Sequence, residues 1–325
     1  MIGPPSISTE EYYYGPSLAY GLTDHLRIGA WLTNQYPLTI LKKTQHAFEW
    51  RAAVNYGTYS KRLGYSIGVT TFYGMPSRRW SYNMATQDFR GTTAAEIGIR
   101  YRWNEVHSVR VVAERNKIWD VSYYDCNGFE PGINTLVLCE YTRQLGGLML
   151  NAVSRLGVKA IGGEYNFWRG AVTLSGSYPL IPSAKFRFFA GTMNGASPVQ
   201  ESFFIQGSVW PSSIPYWFLD PDMNISTLAN LRVAGDANLR GYYETYRKGK
   251  HAFGWTSEIA IPSLRVVRIF ADVGNVWNDR FGELVYDFGI GLDADILRID
   301  FPLYISHPQP GENHIEARWL VEVKI

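Results

Sequence analysis

The chain has 325 residues, and its 31 Lys and Arg nearly balance its 29 Asp and Glu, which gives a formal net charge of +2. This balance does not support a nucleic-acid partner, because proteins that bind nucleic acid usually carry a strong basic excess. Charged residues make up only 18% of the chain and aromatic residues 15%, and this composition excludes a disordered or fibrous protein.

No stretch of about 18 apolar residues is present in the sequence, which argues against a helical membrane protein. A membrane β-barrel is compatible with the mean hydropathy of −0.16, because its strands alternate apolar residues that face lipid with polar residues that face the lumen. The composition therefore leaves this class of membrane protein open.

The recurring pattern along the chain is an alternation of apolar and polar residues. Between residues 95 and 103, for example, Ile97 and Ile99 alternate with Glu96 and Arg100. A period of two that continues over about nine to eleven residues predicts a strand rather than a helix. A tilted strand of that length is also long enough to cross a bilayer.

Fifteen strands are predicted from this alternation. In chain order they span residues 12–21, 25–34, 47–57, 63–74, 92–103, 107–119, 133–142, 147–157, 164–178, 184–194, 251–261, 265–276, 285–293, 296–305 and 315–325. Bacterial outer-membrane barrels have an even number of strands, so we expect sixteen. We place the missing strand upstream of residue 12, where residues 1–11 cannot supply a full strand, and infer that the chain starts late.

The connections between the predicted strands differ in length. Most are short turns, whereas the long ones span residues 35–46, 75–91, 120–132 and 195–250. Such a mixture is typical of a transmembrane barrel, which has short periplasmic turns and long external loops. We therefore predict a tail or remnant of an upstream domain at residues 1–11, followed by one barrel domain at residues 12–325.

A soluble all-β protein is the alternative interpretation of this pattern. Its strands are usually about five or six residues long, and one face of its sheet packs into an apolar core. The polar face of this chain instead carries charged residues on strand after strand: Glu49, Arg51, Glu96, Arg100, Arg102, Arg110, Glu114, Arg187, Arg268, Asp272, Arg298, Asp300, Glu316, Arg318 and Glu322. A core could not hold so many charges without large desolvation costs, whereas a wet lumen can, and the apolar face then meets lipid.

The C-terminal third carries an ordered set of motifs. The first is Leu-Arg-Gly-Tyr-Tyr at residues 239–243, and the segments HAFGWTSEIAIPS, VVRIFADVGNVW, YDFGIGLDAD and LRIDFPLYIS follow it. In this order and spacing the motifs resemble those of the bacterial surface antigen superfamily, the BamA-like outer-membrane assembly and translocation barrels. The resemblance implies an all-β fold: a transmembrane antiparallel up-and-down β-barrel with its long sixth external loop, residues 195–250, folded into the lumen.

The resemblance also assigns roles to single residues of this loop. Arg240 would be the arginine that reaches Glu258 on the first strand after the loop and Asp272 on the next. The alternation independently places both carboxylates on the inward face, and a guanidinium between them makes charge-assisted hydrogen bonds. Gly241 has no Cβ and lets the loop turn tightly against the wall, while Tyr242 is expected to pack the loop tip in the lumen.

Three glycines share the inward face of the strands that follow the loop. They are Gly274, Gly289 and Gly291. Because a glycine has no side chain, we expect all three to leave room inside the barrel for something bulky, such as the loop. Strand bending or a close approach of another backbone is a compatible alternative.

The resemblance also implies that the last predicted strand, residues 315–325, forms a weak lateral seam with the first strand. Such a seam is an edge that can template a strand of another chain. The residues assigned to this seam are Glu316, Arg318 and Glu322 on the inner face, and Trp319 on the outer face.

By the same resemblance, the expected function is the insertion or translocation of proteins at the bacterial outer membrane. The expected partners are outer-membrane lipid, unfolded outer-membrane protein clients, and periplasmic or lipoprotein accessory subunits. The chain departs from the family because residues 1–11 are too short for a periplasmic docking repeat, and because it ends in Ile325 rather than in an aromatic residue. Two alternatives therefore stay open, a membrane anchor for a fused or partner enzyme domain and a plugged pore.

The sequence contains no His-Glu-x-x-His, Gly-x-Ser-x-Gly, Walker or Cys-x-x-Cys motif. We therefore predict no enzymatic activity, no catalytic residue, no cofactor and no metal site. The six histidines do not cluster, and a metal between His307 and His314 is the less favoured interpretation of a Pro-rich loop. Whether Cys126 and Cys139 are bridged stays open.

Overall fold

The computed structural model of the protein describes residues 13–21, 25–34, 48–73, 79–89, 92–104, 106–120, 130–178, 181–205, 236–242, 247–294, 297–308, 311–316 and 318–323. No helix in these ranges is long and apolar enough to cross a membrane. Two short 3₁₀ helices, Lys159–Ile161 and Val199–Glu201, lie in connections between strands.

The main sheet has sixteen antiparallel strands, and each of them pairs with its neighbours in the chain. Its strands are β1 Tyr13–Gly21, β2 His25–Thr33, β3 Phe48–Gly57, β4 Leu63–Tyr73, β5 Trp80–Phe89, β6 Thr92–Asn104, β7 His107–Ile118, β8 Gly132–Leu145, β9 Leu148–Gly157, β10 Asn166–Tyr178, β11 Ile181–Ala196, β14 His251–Ile261, β15 Leu264–Trp277, β16 Val285–Asp293, β17 Leu297–Ile305 and β18 Leu320–Val323. A separate two-stranded ribbon joins β12 Phe203–Phe204 to β13 Lys248–Gly249. This order is an up-and-down meander, as the sequence predicts.

The distribution of apolar and charged side chains over the two faces of the sheet is the reverse of that in a soluble protein. Along β16, Tyr286 and Phe288 are 45% and 48% exposed on the outer face, whereas Asp287 between them is 1% exposed on the inner face. The same reversal recurs on other strands, with apolar residues outside and charged residues inside. The predicted alternation is therefore present, and the inner face encloses a polar lumen.

The sixteenth strand is β5, and it is not where we expected it. The prediction placed the missing strand upstream of residue 12, in a part of the chain that lies outside the described residues, and read residues 75–91 as a loop. The structure instead forms a ten-residue strand there, paired with β4 and β6. Its outward residues Tyr82 and Met84 do alternate with Ser81 and Asn83, but Thr86 is the only β-branched residue of the strand, and the weak pattern was missed.

The last strand is much shorter than predicted. Residues 315–325 were expected to be one strand, but β18 covers only Leu320–Val323, and Ile315 makes an isolated bridge to Tyr304 of β17. Between the pairs Asp300–Leu320 and Tyr304–Ile315, β17 advances four residues and the final segment five. One extra residue on one side is the property of a bulge, which interrupts a ladder, so the regular alternation did not guarantee a regular strand.

Arg318 fixes the segment that precedes β18. Its Nη2 donates to the carbonyl of Asn313 at 2.8 Å and lies 3.4 Å from carboxylate oxygens of both Glu312 and Glu316. The predicted faces are retained, because Arg318 is 8% exposed and Trp319 46% exposed. The inward-facing Arg318 thus binds residues of the same terminal segment.

The two ends of the sheet are β1 and β18. In the part of the chain that the structure describes, no ladder of hydrogen bonds joins these two strands. The meander therefore has the architecture of a sixteen-stranded barrel in which the described residues of β1 and β18 do not pair with each other. We call this the unpaired side.

Candidate functional site

The loop between β11 and β14 lies inside the lumen where the structure describes it. Residues 198–205 form the 3₁₀ helix and β12, and residues 236–242 form a turn deeper inside. Leu239 and Arg240 of this turn are 0% and 2% exposed. A charged side chain can be buried this deeply only with partners that replace its water, and those partners come from the surrounding strands.

Arg240 is bound by carboxylates from three strands. Its Nε donates to Oδ2 of Asp272 at 2.8 Å and its Nη2 to Oδ1 at 2.7 Å, which is a bidentate pair. Its Nη1 lies 3.2 Å from Glu258 Oε2 and 3.5 Å from Asp300 Oδ2. The backbone N–H of Arg240 also donates to Asp272 at 3.0 Å, so that side chain and main chain are held together.

The carboxylates around Arg240 have further cationic partners of their own. Glu258 accepts from Nη2 of Arg298 at 2.7 Å and from Nη1 of Arg268 at 3.2 Å. Arg298 also donates from Nη2 to Asp300 at 2.9 Å. The buried charges thus form a connected network, which leaves few uncompensated charges in a dry site.

Electrostatics and an aromatic ring both favour the charged form of Arg240. Burial by itself would lower the pKa of this guanidinium, but Asp272, Asp300 and Glu258 raise it above its ordinary value. The guanidinium carbon also lies 3.7 Å from the centre of the Phe270 ring, a cation–π contact. Arg240 therefore stays protonated throughout the accessible pH range.

Gly241 is pressed against β16 and β17. Its N–H donates to Oδ2 of Asp287 at 3.0 Å. A Cβ at this position would lie 2.4 Å from Cγ2 of Ile305 and 2.8 Å from Cβ of Asp287. The close approach that the sequence predicted at this glycine is thus required sterically, because no side chain fits there.

Tyr242 anchors the end of the turn to the same two strands. Its hydroxyl lies 3.1 Å from Oγ of Ser306 and accepts from the N–H of His307 at 3.3 Å. Its ring joins a buried cluster that includes Leu239 and Ile305. Burial raises the pKa of the Tyr242 hydroxyl, so this group remains a neutral donor and acceptor.

Wall glycines make room for the turn, but only in part as predicted. A Cβ on Gly274 would lie 2.8 Å from Cδ1 of Leu239, and one on Gly254, which the sequence did not single out, would lie 2.1 Å from the Ala237 carbonyl oxygen. Gly289 and Gly291 were also expected to face the loop. They face other wall residues instead.

The residues opposite these two glycines belong to the arginine site itself. A Cβ on Gly289 would lie 2.6 Å from Phe270, and one on Gly291 would lie 2.3 Å from Asp300. Both neighbours contact Arg240. The two glycines therefore support the site indirectly, by leaving space for the side chains that hold the arginine.

A second set of contacts holds the loop on the other side of the lumen. Arg155 on β9 binds both carboxylate oxygens of Glu201 at 3.0 and 2.8 Å. Arg169 on β10 binds Oδ2 of Asp236 at 2.6 Å, and Arg187 on β11 binds the carbonyl of Asp236 at 2.8 Å. Arg169 also donates to the backbone carbonyl of Glu201 at 3.0 Å.

The lumen therefore has two charged walls. We call Glu258, Asp272, Asp287 and Asp300 the acidic wall, and Arg155, Arg169 and Arg187 the basic wall. The loop places Arg240 and the N–H of Gly241 against the acidic wall, and it places Glu201 and Asp236 against the basic wall. Each wall thus binds loop residues of the opposite charge.

The structure brings together five residues that the sequence singled out: Arg240, Gly241, Tyr242, Glu258 and Asp272. The sequence missed the roles of Asp287, Asp300 and Arg298 in this site, although their inward parity was a usable signal. It also missed the basic wall, since the pairing of Arg169 with Asp236 joins residues 67 positions apart. No pattern of period two encodes such a contact.

The residues assigned to the seam lie apart from this site. Glu316 contacts Arg318, and Trp319 lies on the outer face. In the ladder between β17 and β18, Glu322 pairs with Arg298 and Leu320 pairs with Asp300, so the final strand lies beside two residues of the network around Arg240.

The two candidate metal ligands, His307 and His314, contact different groups in the described residues. His307 lies 2.9 Å from Glu283, and His314 lies 2.9 Å from the carbonyl of Ile305. Among the described residues, no group of three or more His, Cys, Asp or Glu could hold a metal ion. Cys139 is exposed, and Cys126 lies outside the described residues, so their bridging stays open.

Comparison with known proteins adds information about the fold. No family model matches the sequence, and no curated protein is significantly similar to it. The structure is similar to that of BamA from Haemophilus ducreyi lacking POTRA domains 1–3, with a TM-score of 0.53, 13% sequence identity, and coverage of 96% of this chain and 69% of that chain. The chain has the fold of the BamA-type barrels.

A second solved structure agrees with the first. CdiB from Escherichia coli matches with a TM-score of 0.50 and 14% identity over 96% of this chain. This chain spans 62% of the CdiB chain. The BamA-type fold confirms the all-β up-and-down barrel that the sequence predicted. At this low sequence identity, the similarity shows the fold alone.

Proposed function

We propose that this BamA-type barrel lies in the bacterial outer membrane and takes part in the insertion or translocation of proteins there, without an enzymatic reaction. The observation that carries the proposal is the loop held between the acidic wall and the basic wall, in a barrel whose β1 and β18 share no ladder in the described residues. A loop held inside the lumen and a sheet edge that is free to pair are the two features that support this role.

The outer face supports the membrane placement. Large apolar side chains on it are exposed along the whole sheet, among them Ile97 at 62%, Met84 at 60% and Ile269 at 50%. In water such a continuous apolar surface would lead to aggregation, whereas lipid covers it at no cost. Outer-membrane lipid is therefore the first partner that we propose.

The unpaired side supports a role in strand templating. β18 pairs with β17 over only four residues, and a sheet edge presents N–H and C=O groups that can pair with a strand of another chain. We propose that unfolded outer-membrane proteins are the clients that use this edge. Periplasmic or lipoprotein accessory subunits would deliver them.

The test is the folding of a client barrel in vesicles that contain this protein. A urea-unfolded outer-membrane protein is added, and its folded form is followed by heat-modifiable gel mobility. We expect client folding to be several-fold faster than in protein-free vesicles. Equal rates in the two vesicle preparations, with this chain itself folded, would contradict the insertion role and favour a membrane anchor.

A plugged barrel is a second candidate function, favoured by one specific observation. The turn at residues 236–242 fills the lumen next to β14–β17, with Arg240 2% exposed. Single-channel recording tests it: we expect a small conductance in the intact chain and a larger one in Arg240→Ala. A steady large conductance in both would exclude the plug and favour an open pore.

A further inference from the structure

The lumen holds a second feature that the docked loop does not use. On the side of β7–β11, a cavity of about 460 Å³ lies next to the basic wall. Its charged lining residues are Arg110, Arg155, Arg169, Arg187, Glu140 and Asp236. The lining thus has four arginines and two carboxylates, and Glu201, which lies outside the lining, binds Arg155.

Among the described residues, the guanidinium of Arg110 forms two long ion pairs and no short hydrogen bond. Its nearest carboxylate oxygens, on Glu96 and Glu140, lie 3.8 and 4.0 Å away, which is beyond hydrogen-bond distance. Both carboxylates take their short hydrogen bonds from asparagines instead, Glu96 from Asn83 and Glu140 from Asn151, each at 2.7 Å. Arg110 thus faces the cavity with unused donors.

Arg187 also has a spare donor. Its side chain is 8% exposed, and its Nη2 binds the carbonyl of Asp236 at 2.8 Å. Its Nη1 is buried and has no hydrogen-bond partner in the part of the chain that the structure describes. A buried donor without a partner is costly, and because Arg187 lines the cavity, a rotation of its guanidinium towards a bound anion would relieve that cost.

The same wall already binds oxyanions that belong to the chain itself. Arg155 holds the carboxylate of Glu201 with two contacts, and Arg169 holds that of Asp236. These pairs show which chemistry the wall recognises, since planar guanidinium groups match carboxylate and phosphate oxygens. The unused donors of Arg110 and Arg187 extend this recognition into the empty part of the cavity.

We propose that this cavity is a binding site for an oxyanion, the carboxylate or phosphate of a molecule that enters the lumen, with Arg110 and Arg187 as its ligands. The site is distinct from the acidic wall that holds Arg240. An oxyanion there would compete with Asp236 for the basic wall, so its occupancy would be coupled to the position of the loop. This site goes beyond the proposed insertion role and is measurable without any client.

The test uses the full chain refolded in detergent. Binding of inorganic phosphate and of a tetra-aspartate peptide is measured by isothermal titration calorimetry at constant ionic strength, with a tetra-asparagine peptide as the neutral control. We expect saturable binding that Arg110→Gln weakens about tenfold, since a hydrogen bond to a charged group is lost. Arg51→Gln is the matched control, because Arg51 lies on the inner face of β3 and does not line the cavity.

Each outcome decides a part of the proposal. Binding of phosphate alone supports the site with a small anion as its ligand, and binding of the peptide in competition with phosphate supports it with an acidic polypeptide segment. Absence of binding by the wild type, or equal weakening in Arg110→Gln and Arg51→Gln, overturns it. Heat-modifiable gel mobility of every variant shows that the barrel is folded, so a loss of binding is not a loss of structure.

Discussion

The acidic wall and the basic wall bind the same loop in different surroundings. At the acidic wall, the side chains of Arg240, Asp272 and Glu258 are 1%, 0% and 0% exposed. At the basic wall, next to a cavity, one partner of each pair is partly exposed: Arg155 is 28% exposed and Glu201 5%, while Asp236 is 25% exposed and Arg169 10%. The acidic contact is dry, and the basic contact is partly open to water.

This difference predicts how the loop leaves the lumen. In a dry site, the loss of one partner leaves a buried charge without compensation, whereas in a wet site water replaces the lost partner. The basic wall should therefore release the loop first, and the acidic wall should set the total stability of the docked state. Substitutions at the two walls test this difference in hydration.

The largest effect is expected from Arg240→Ala. This variant leaves Asp272, Glu258 and Asp300 around an empty position, and we expect it to lower the free energy of unfolding by about 3–5 kcal/mol. Urea unfolding in detergent, followed by far-UV circular dichroism, measures the change. The control is Arg62→Ala, which breaks the exposed pair with Asp120 and should cost no more than about 1 kcal/mol; equal effects would refute the dry site.

Substitutions of two partners in one network should also have non-additive effects on the free energy of unfolding. In Asp272→Ala the guanidinium of Arg240 loses its bidentate partner, so this variant should also be strongly destabilised. The double variant Arg240→Ala/Asp272→Ala should lose less stability than the two single changes together, because each of them removes the same interaction. Additive losses in the same urea assay would mean that the two residues act independently.

A smaller effect is expected from Gly241→Ala. The new Cβ would lie 2.4 Å from Ile305, and overpacking of this kind costs about 1–3 kcal/mol. Gly147→Ala is the control, because no heavy atom lies within 4 Å of a Cβ there. If Gly241→Ala matched this control in the unfolding assay, the loop would not be pressed against β16 and β17 in solution.

The acidic wall was more accessible to prediction than the basic wall. Glu258 and Asp272 lie on regular strands, so parity alone places them inward, and the motif around Arg240 names their partner. The three arginines of the basic wall also lie on inward-facing strand positions. Their partners Glu201 and Asp236, however, lie in a connection that has no regular alternation of apolar and polar residues. Which loop residue meets which strand depends on the path of the chain through the lumen, and the sequence does not contain that path as a local pattern.

Strand prediction failed for a different reason in two places. β5 has the right alternation at residues 80–84, but Thr86 is its only β-branched residue, and Gln87 and Asp88 follow as two consecutive polar residues. The segment before β18 has a clear alternation, but it contains one residue more than the facing part of β17, and such an extra residue interrupts a ladder. Paired neighbours supply the hydrogen bonds in the first case, and a change of register interrupts them in the second.

The smallest effect, and the sharpest test of the contrast, is expected from Asp236→Asn. This change keeps the shape of the side chain but removes the charge that Arg169 binds at 2.6 Å, and we expect a loss of about 1–2 kcal/mol at low salt. Because the site is open to water, 1 M NaCl should reduce this loss, since charges are screened there over about 3 Å. The loss caused by Arg240→Ala should change little with salt, because ions do not enter a dry site. If both losses respond equally to salt in urea unfolding at 50 mM and 1 M NaCl, the two walls do not differ in hydration, and the predicted order of loop release is wrong.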